Sequence, residues 1–110
     1  MKYEEWIEKY GNLMDDRHIA VCANAKKLPN GEFGLCYLLL KDDFINIYDT
    51  DMKGNLFDLL YSINLKEISN FKSSSFIFNP YLKFEYQNFT YKFADFGNAK
   101  LFLSELNKSL

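Results

Sequence analysis

The sequence predicts a mainly β (α+β) protein: a partly open barrel of about seven short antiparallel strands with one helix before it and one after it. The length of 110 residues is that of a single domain, residues 1–110, with a core of its own. Aromatic residues make up 18%, mostly Phe and Tyr, which are enriched in strands. Apolar residues recur with a period of two in several stretches between residues 18 and 96, whereas the two ends of the chain show longer helical spacing.

Residues 2–14 are predicted to form an amphipathic helix. Gly11 weakens its second half by up to about 1 kcal/mol relative to Ala. Trp and Tyr are frequent anchors at interfaces, and strongly apolar exposed patches mark binding sites. The apolar side of this helix is therefore the candidate interaction surface, made of Tyr3, Trp6, Ile7 and Tyr10.

The first part of the predicted barrel contains three strands. "HIAVCANAK" starts at residue 18 and places four residues on one face: Ile19, Val21, Ala23 and Ala25. A turn follows because Asn30-Gly31 readily adopts positive φ. "FGLCYLLLK" is apolar on both faces, which predicts that one face covers the core and the other meets the N-terminal helix or a partner. "FINIYD" is the third strand, with Ile45 and Ile47 inward.

The second part is less regular until its end. "LFDLLYSINL" fits a helical turn followed by a strand through Ile63 and Leu65, and "SNFKSSSFIF" fits a more polar strand. "NP" at 79–80 marks a turn, and "YLKFEYQNFTYKFADF" predicts a hairpin around "QN". Residues 98–110 are predicted to form a closing helix with Asn98 as N-cap. Its apolar stripe consists of Ala99, Phe102, Leu103, Leu106 and Leu110.

Several of these stretches together resemble the bacterial pleckstrin-homology-like and GRAM-like domains. In that group a strand of the type L-x-x-x-x-I leads into a polar strand, then a hairpin, then a helix that caps the barrel. Leu65 to Ile68 matches the first element, residues 82–93 the hairpin and residues 98–110 the capping helix. The resemblance covers residues 18–110 and leaves the N-terminal helix as an addition. It implies a fold more than an activity, because domains of this shape bind lipids, peptides or proteins, or assemble.

The resemblance also implies a pocket for inositol phosphates on the first hairpin. That hairpin offers Lys26 and Lys27 as headgroup candidates, but Glu32 faces them and the return strand has no base before Lys41. Arginine, the best bidentate ligand of phosphate, is absent from it. The net charge of -2 argues against a nucleic-acid partner. Lipid binding is therefore the less favoured alternative.

The stretch "YDTDMKGNL" begins like a calcium loop, with Asp49, Asp51 and Gly54 at the first, third and sixth positions. Lys53 at the fifth and Leu60 at the twelfth remove needed oxygen ligands, so we expect a turn and no metal site.

Neither the cysteines nor the carboxylate pairs predict catalysis. Cys22 and Cys36 have no paired zinc spacing and are expected to be reduced, packed side chains, although they could lie near each other across two strands. His18 is the only histidine, which disfavours a Cys–His nucleophile. The adjacent acids of Asp15–Asp16 and Asp42–Asp43 are expected to be solvated. No catalytic residue and no cofactor are predicted.

The function expected from the sequence is a non-catalytic binding or assembly module that recognises a protein or another copy of itself. "MKYEEWIEKYG" lacks the apolar core of a signal peptide, and no run approaches the ~18 apolar residues of a membrane span. A cytoplasmic location is therefore expected, and the resemblance implies a bacterial one. The alternative is a peripheral module that binds anionic lipid. An enzyme that gathers His18, a cysteine and an acid is the weakest alternative.

Overall fold

The structure is a computed structural model that describes residues 2–17 and 19–110. Seven antiparallel strands form one open sheet, with an α-helix at each end of the chain. The elements are α1 (Tyr3–Tyr10), β1 (Ala20–Lys27), β2 (Gly34–Lys41), β3 (Phe44–Thr50), β4 (Leu56–Asn64), β5 (Ser69–Ser74), β6 (Tyr81–Tyr86), β7 (Phe89–Ala94) and α2 (Ala99–Lys108). The strand order is β4-β3-β2-β1-β7-β6-β5. The first strand, β1, and the last strand, β7, therefore pair with each other near the middle of the sheet. The predicted class and strand number are confirmed.

The inward faces of the strands and α2 share one core. Phe84, Phe93 and Phe102 are fully buried in it, and Leu106 joins them from α2. The predicted alternation of the first and third strands is confirmed, because their inward residues are all buried: Ile19, Val21, Ala23, Ala25, Ile45 and Ile47. Because strands from both parts of the sheet contribute to the same cluster, the sheet curves around this core.

The opposite face of β2 carries a second, smaller core beneath α1. Leu39 is fully buried there against Trp6, Tyr10 and Met14. The indole Nε1 of Trp6 donates a hydrogen bond of 2.8 Å to the carbonyl oxygen of Gly54. The prediction that one face of "FGLCYLLLK" meets the N-terminal helix is therefore confirmed. The α-helix itself is shorter than residues 2–14, since it ends at Tyr10 and a 3₁₀ turn begins at Gly11.

Both predicted hairpin turns form. Gly31 has φ +86°, and the side chain of Asn30 accepts a hydrogen bond of 3.0 Å from the backbone N–H of Glu32. Gln87 and Asn88 both have positive φ, +50° and +63°. Two successive residues of positive φ match the right-handed twist of the strands that they join.

The region after β3 differs from the prediction. The whole of "LFDLLYSIN" is strand, because it pairs with β3, and the helical turn follows it at Leu65–Glu67. The side chain of Asn64 accepts a hydrogen bond of 3.0 Å from the backbone N–H of Lys66 and so begins that turn. Side-chain capping of this kind competes with strand pairing, which is why the alternation through Leu65 did not continue as a strand.

Two details of the last helix also differ. Asn98 precedes α2 in the left-handed conformation with φ +55°, and its side chain makes no capping bond. Its backbone carbonyl accepts the first helical bond, from the N–H of Phe102 at 3.0 Å. Leu110 lies beyond the end of α2 and is half exposed, so the apolar stripe ends at Leu106.

Candidate functional site

Lysines gather on the outer face of the strands that follow β4. In the sheet register Lys72 of β5 lies directly opposite Lys83 of β6, and Lys83 lies directly opposite Lys92 of β7. Lys83 and Lys92 each stand between buried neighbours in sequence, so their side chains point outward. Together with Lys26 of β1 these three line an open cavity of about 380 Å³, which we call the lysine cleft. Its other lining residues are Asn79, Tyr81, Ala94 and Asp95.

The charges of the lysine cleft are poorly balanced. Directly opposed cross-strand side chains have Cβ atoms about 4.5–5.5 Å apart, and like charges at that spacing are destabilising. Asp95 is the acid in the cleft wall, and it lies 3.7 Å from the ammonium of Lys26. Among residues 2–17 and 19–110, no ion pair joins an acid to the other three lysines. The cleft is thus a site of excess positive charge on a protein whose net charge is -2.

The loop between β5 and β6 carries an exposed apolar segment next to the cleft. Phe76, Ile77 and Phe78 are 61%, 81% and 86% exposed, and we call them the apolar tip. The two phenyl rings pack edge to face with centroids 5.7 Å apart. The backbone N–H of Asn79 closes a turn onto the carbonyl of Phe76 at 2.9 Å, and Asn79 also lines the cleft. The apolar tip and the lysine cleft therefore adjoin.

The sequence prediction placed the apolar tip in a strand. The strand ends at Ser74, whose hydroxyl accepts a hydrogen bond of 3.1 Å from the backbone N–H of Phe76. A hydroxyl that captures a local backbone N–H takes that group out of strand pairing. The three apolar residues therefore belong to the loop and face solvent.

The predicted headgroup lysines lie at the border of the cleft. Lys26 lines it, and Lys27 is exposed directly opposite Lys92. Sequence reasoning missed the partners of these two lysines, although part of the signal was present. Lys83 and Lys92 lie at equal distances from the predicted "QN" turn, so the hairpin register already pairs them. The position of Lys72 opposite Lys83 depends on how β5 pairs with β6, which the local sequence does not show.

The predicted interaction surface on the first helix is largely internal. Trp6 and Tyr10 are buried, and Ile7 is partly buried against the same cluster. The phenol oxygen of Tyr10 accepts a hydrogen bond of 3.0 Å from the backbone N–H of Leu56. The physical reason is that β2 presents an apolar outer face, which α1 covers. Only Tyr3, at 66% exposure, remains available to a partner.

The acidic loop is held by its own hydrogen bonds. The carboxylate of Asp51 accepts from the backbone N–H of Lys53 at 2.8 Å, from that of Asn55 at 3.0 Å and from the side-chain amide of Asn55 at 2.9 Å. These bonds, the Asn55 amide first, lower the pKa of Asp51. Gly54 takes φ +90° within the turn. No group of three potential metal-ligating side chains occurs within the described part of the chain.

The two cysteines are free thiols, and burial raises the pKa of both. Cys22 lies opposite Tyr37, and Cys36 lies opposite Ala23, so the two thiols belong to neighbouring cross-strand pairs and both are free. Burial raises the pKa of Cys36 to about 12. A thiol of that kind is not a nucleophile at neutral pH. His18, the histidine of the weakest alternative, lies outside the described residues.

In the first carboxylate pair, Asp15 is held by hydrogen bonds to its neighbours. Asp15 is chelated by the guanidinium of Arg17 and also accepts the backbone N–H of Asp42 at 3.1 Å. The hydrogen bond from Arg17, above all, lowers the pKa of Asp15. This acid of lowered pKa joins the segment between α1 and β1 to the β2–β3 turn, and it cannot serve as a proton donor near neutral pH.

Comparisons with protein-family models, with curated proteins and with solved structures found no match to this chain. In the described residues, neither helix has the length and apolar character that a membrane span requires.

Proposed function

We propose that this chain is a non-catalytic binding module whose main site is the lysine cleft and whose ligand is anionic, with phosphate groups as the best fit. The observation that carries this proposal is the register of Lys72, Lys83 and Lys92, which places three ammonium groups side by side. A sheet is less stable with that arrangement than without it. An anion that sits among the three groups turns mutual repulsion into charge-assisted hydrogen bonds.

The proposal includes the pleckstrin-homology-like identity of the fold and a bacterial cytoplasmic location. Support for the fold identity comes from seven antiparallel strands in one open sheet with a helix after the last strand. The proposed site differs from the one that the resemblance implies. The lysine cleft lies mainly on β5, β6 and β7, and from the first hairpin it takes only Lys26.

The test uses tripolyphosphate, a soluble phosphate polyanion, as the probe. Isothermal titration calorimetry on the full chain at low salt should show saturable binding that weakens as salt screens the charges. The variant Lys72→Gln/Lys83→Gln/Lys92→Gln should bind at least about tenfold more weakly, because it removes the three opposed ammonium groups. A matched control removes three exposed lysines elsewhere: Lys2, Lys53 and Lys100, each replaced by Gln. The control should bind like the parent chain.

Stability measurements separate loss of the site from loss of the fold. Without ligand, the cleft variant should melt about 2–5 °C higher than the parent chain because the opposed charges are gone. With tripolyphosphate, the parent should gain stability by mass action and the variant should not. Equal binding by the cleft variant and the control variant would refute the cleft as the site.

Protein binding or self-association through β4 is the second candidate. β4 is an edge strand of nine residues, and Phe57 and Leu59 on it are about half exposed. It contains no lysine or proline, the residues that commonly protect an edge from pairing with another strand. A second copy adding its own β4 antiparallel would form a symmetric dimer by strand addition.

Light scattering over a range of concentrations tests this second candidate. We expect dimer formation, and we expect Leu59→Lys to abolish it by placing a charge at the edge. Leu101→Lys is the matched control, because Leu101 is equally exposed (50%) but lies on α2. A chain that stays monomeric at every concentration would rule out self-association through β4.

A further inference from the structure

We propose that the anionic ligand is the surface of a lipid bilayer, and that the apolar tip inserts into it while the lysine cleft contacts the headgroups. This inference rests on the proposed function, since it takes the lysine cleft as the binding site. It adds the chemical class of the partner and a second contact, the tip. The tip lies outside the first hairpin, where the resemblance places lipid binding, and Lys26 is the one cleft lysine on that hairpin.

The apolar tip is unusual for a surface loop. Single exposed apolar residues are common on proteins, but a run of three is unfavourable in water unless a partner covers it. Phe76, Ile77 and Phe78 are all more than half exposed, and the two rings contact each other across the turn. The tip contains no charged group, so its exposed surface is suited to an apolar environment.

The spacing of tip and lysines fits a bilayer interface. Ser74 and Tyr81 are the last pair of the β5–β6 ladder before the loop, and Lys72 and Lys83 are the pair two residues further along it. Two residues of strand span about 7 Å, which separates the lysines from the end of the ladder, and the tip lies in the loop beyond that end. Amphipathic elements bury their apolar side about 5–10 Å into the boundary between headgroups and acyl chains. The lysines then lie at headgroup level while the tip is in the apolar layer.

The combination of the two surfaces favours a bilayer over other anionic partners. A soluble phosphate compound would occupy the cleft and leave the tip in water. A single weak membrane contact gives only marginal binding, whereas an apolar insertion together with a polybasic patch gives stable attachment. A nucleic acid would use the aromatic faces for stacking, but the tip offers Ile77 between two rings that already pack on each other.

Vesicle sedimentation with the full chain tests the inference. The probe is vesicles of phosphatidylcholine with roughly one-third phosphatidylserine, against vesicles of phosphatidylcholine alone. We expect binding to the first and at least about tenfold less to the second, because each lysine near an anionic surface contributes roughly a fivefold factor. The tip variant Phe76→Ser/Ile77→Ser/Phe78→Ser should lose at least about tenfold in vesicle binding. Its tripolyphosphate binding should equal that of the parent.

A matched control tests whether any exposed apolar residue would serve. Phe33 and Met52 are 82% and 95% exposed, but they lie on the β1–β2 and β3–β4 loops. Phe33→Ser/Met52→Ser should bind vesicles like the parent chain. Equal losses in the control and in the tip variant would overturn the assignment of the tip.

Fluorescence gives a direct measure of insertion. Trp6 is the only tryptophan and is 7% exposed, so it supplies a constant background. In the variant Phe78→Trp we expect a blue shift of the emission on adding anionic vesicles, and quenching by lipids brominated along their acyl chains. Emission from position 78 that does not change when the protein sediments with vesicles would overturn insertion.

The outcomes separate this inference from the proposed function. Binding of tripolyphosphate without binding of anionic vesicles would overturn the bilayer inference and leave the proposed function standing. Failure to bind either would overturn both. Binding of single-stranded RNA or of an acidic peptide, with no vesicle binding, would assign the cleft to that partner and overturn the inference.

Discussion

Trp6→Ala should strongly destabilise the folded protein, because Trp6 belongs to the core beneath α1. The side chain is 7% exposed, and its ring centroid lies 5.2 Å from those of both Tyr10 and Tyr37. An aromatic side chain buries about 150–250 Å², which at about 25 cal/mol per Å² corresponds to roughly 4–6 kcal/mol before relaxation. Core Trp→Ala changes cost about 3–5 kcal/mol. We therefore expect a loss of about 3–5 kcal/mol in the free energy of unfolding.

Two further variants divide this loss by mechanism. Trp6→Phe keeps an aromatic ring but removes the hydrogen bond to the Gly54 carbonyl, so it should cost about 1–2 kcal/mol for the lost bond and the smaller ring. Tyr3→Ala is the matched control on the same helix. Tyr3 is 66% exposed, so its replacement should change stability by less than about 0.5 kcal/mol.

Urea unfolding followed by far-ultraviolet circular dichroism is the appropriate assay, because removing Trp6 also removes the only tryptophan fluorescence. Our reasoning would be refuted if Trp6→Ala and Tyr3→Ala had the same free energy of unfolding within error. In that case α1 would contribute nothing to the fold, and Trp6 would again be a candidate for the interaction surface.

Two other predictions concern titratable groups. Hydrogen bonds from Arg17 and neighbouring backbone lower the pKa of Asp15 from its ordinary value of 3.8, so the stabilisation they supply is complete above that value and is lost as the pH falls through the lower folded-state pKa. Asp15→Asn should therefore lower the free energy of unfolding at neutral pH and weaken its dependence on pH below about 4, as measured by urea unfolding. An unchanged pH dependence of stability below about 4 would contradict this. Cys36 is buried and has a pKa of about 12, so it should react with a thiol reagent only at the rate at which the protein unfolds. The half-buried Cys22 should react faster. Equal reaction rates of the two thiols in the folded protein would contradict the buried placement of Cys36.

The sequence predicted best where the side chains of a segment face two different environments. In β1, β3 and the β6–β7 hairpin, apolar and polar residues alternate, and the buried faces are those that the alternation indicates. The β4 segment gives a weaker contrast, because polar and apolar residues mix along it and Phe57 and Leu59 are exposed at the edge of the sheet. Its strand conformation depends on pairing with β3, which is tertiary information that local pattern does not contain.

The candidate site could be predicted only in part for a related reason. Lys83 and Lys92 face each other across a short hairpin, so a local turn fixes their pairing. Lys26 and Lys72 join them through pairings between strands that are distant in sequence. Trp6 shows the same limit in reverse. The sequence shows that Trp6 lies on a helix, but it leaves open whether the apolar outer face of β2 meets that helix or a partner. In the structure this face packs against the helix and buries Trp6.

The lysine cleft makes the distribution of charge over the molecule uneven. The lysine cleft belongs to the β5 end of the strand order, whereas the acids of α1 and of the β3–β4 loop accompany the strands toward the β4 end. A net charge of -2 and a pI near 5.3 sum the whole chain and do not describe this distribution. In the field of a charged surface the protein experiences a torque as well as a force, so it should approach with one pole leading even when its average charge opposes the approach. Its encounter with a partner should therefore depend on orientation more than on overall charge.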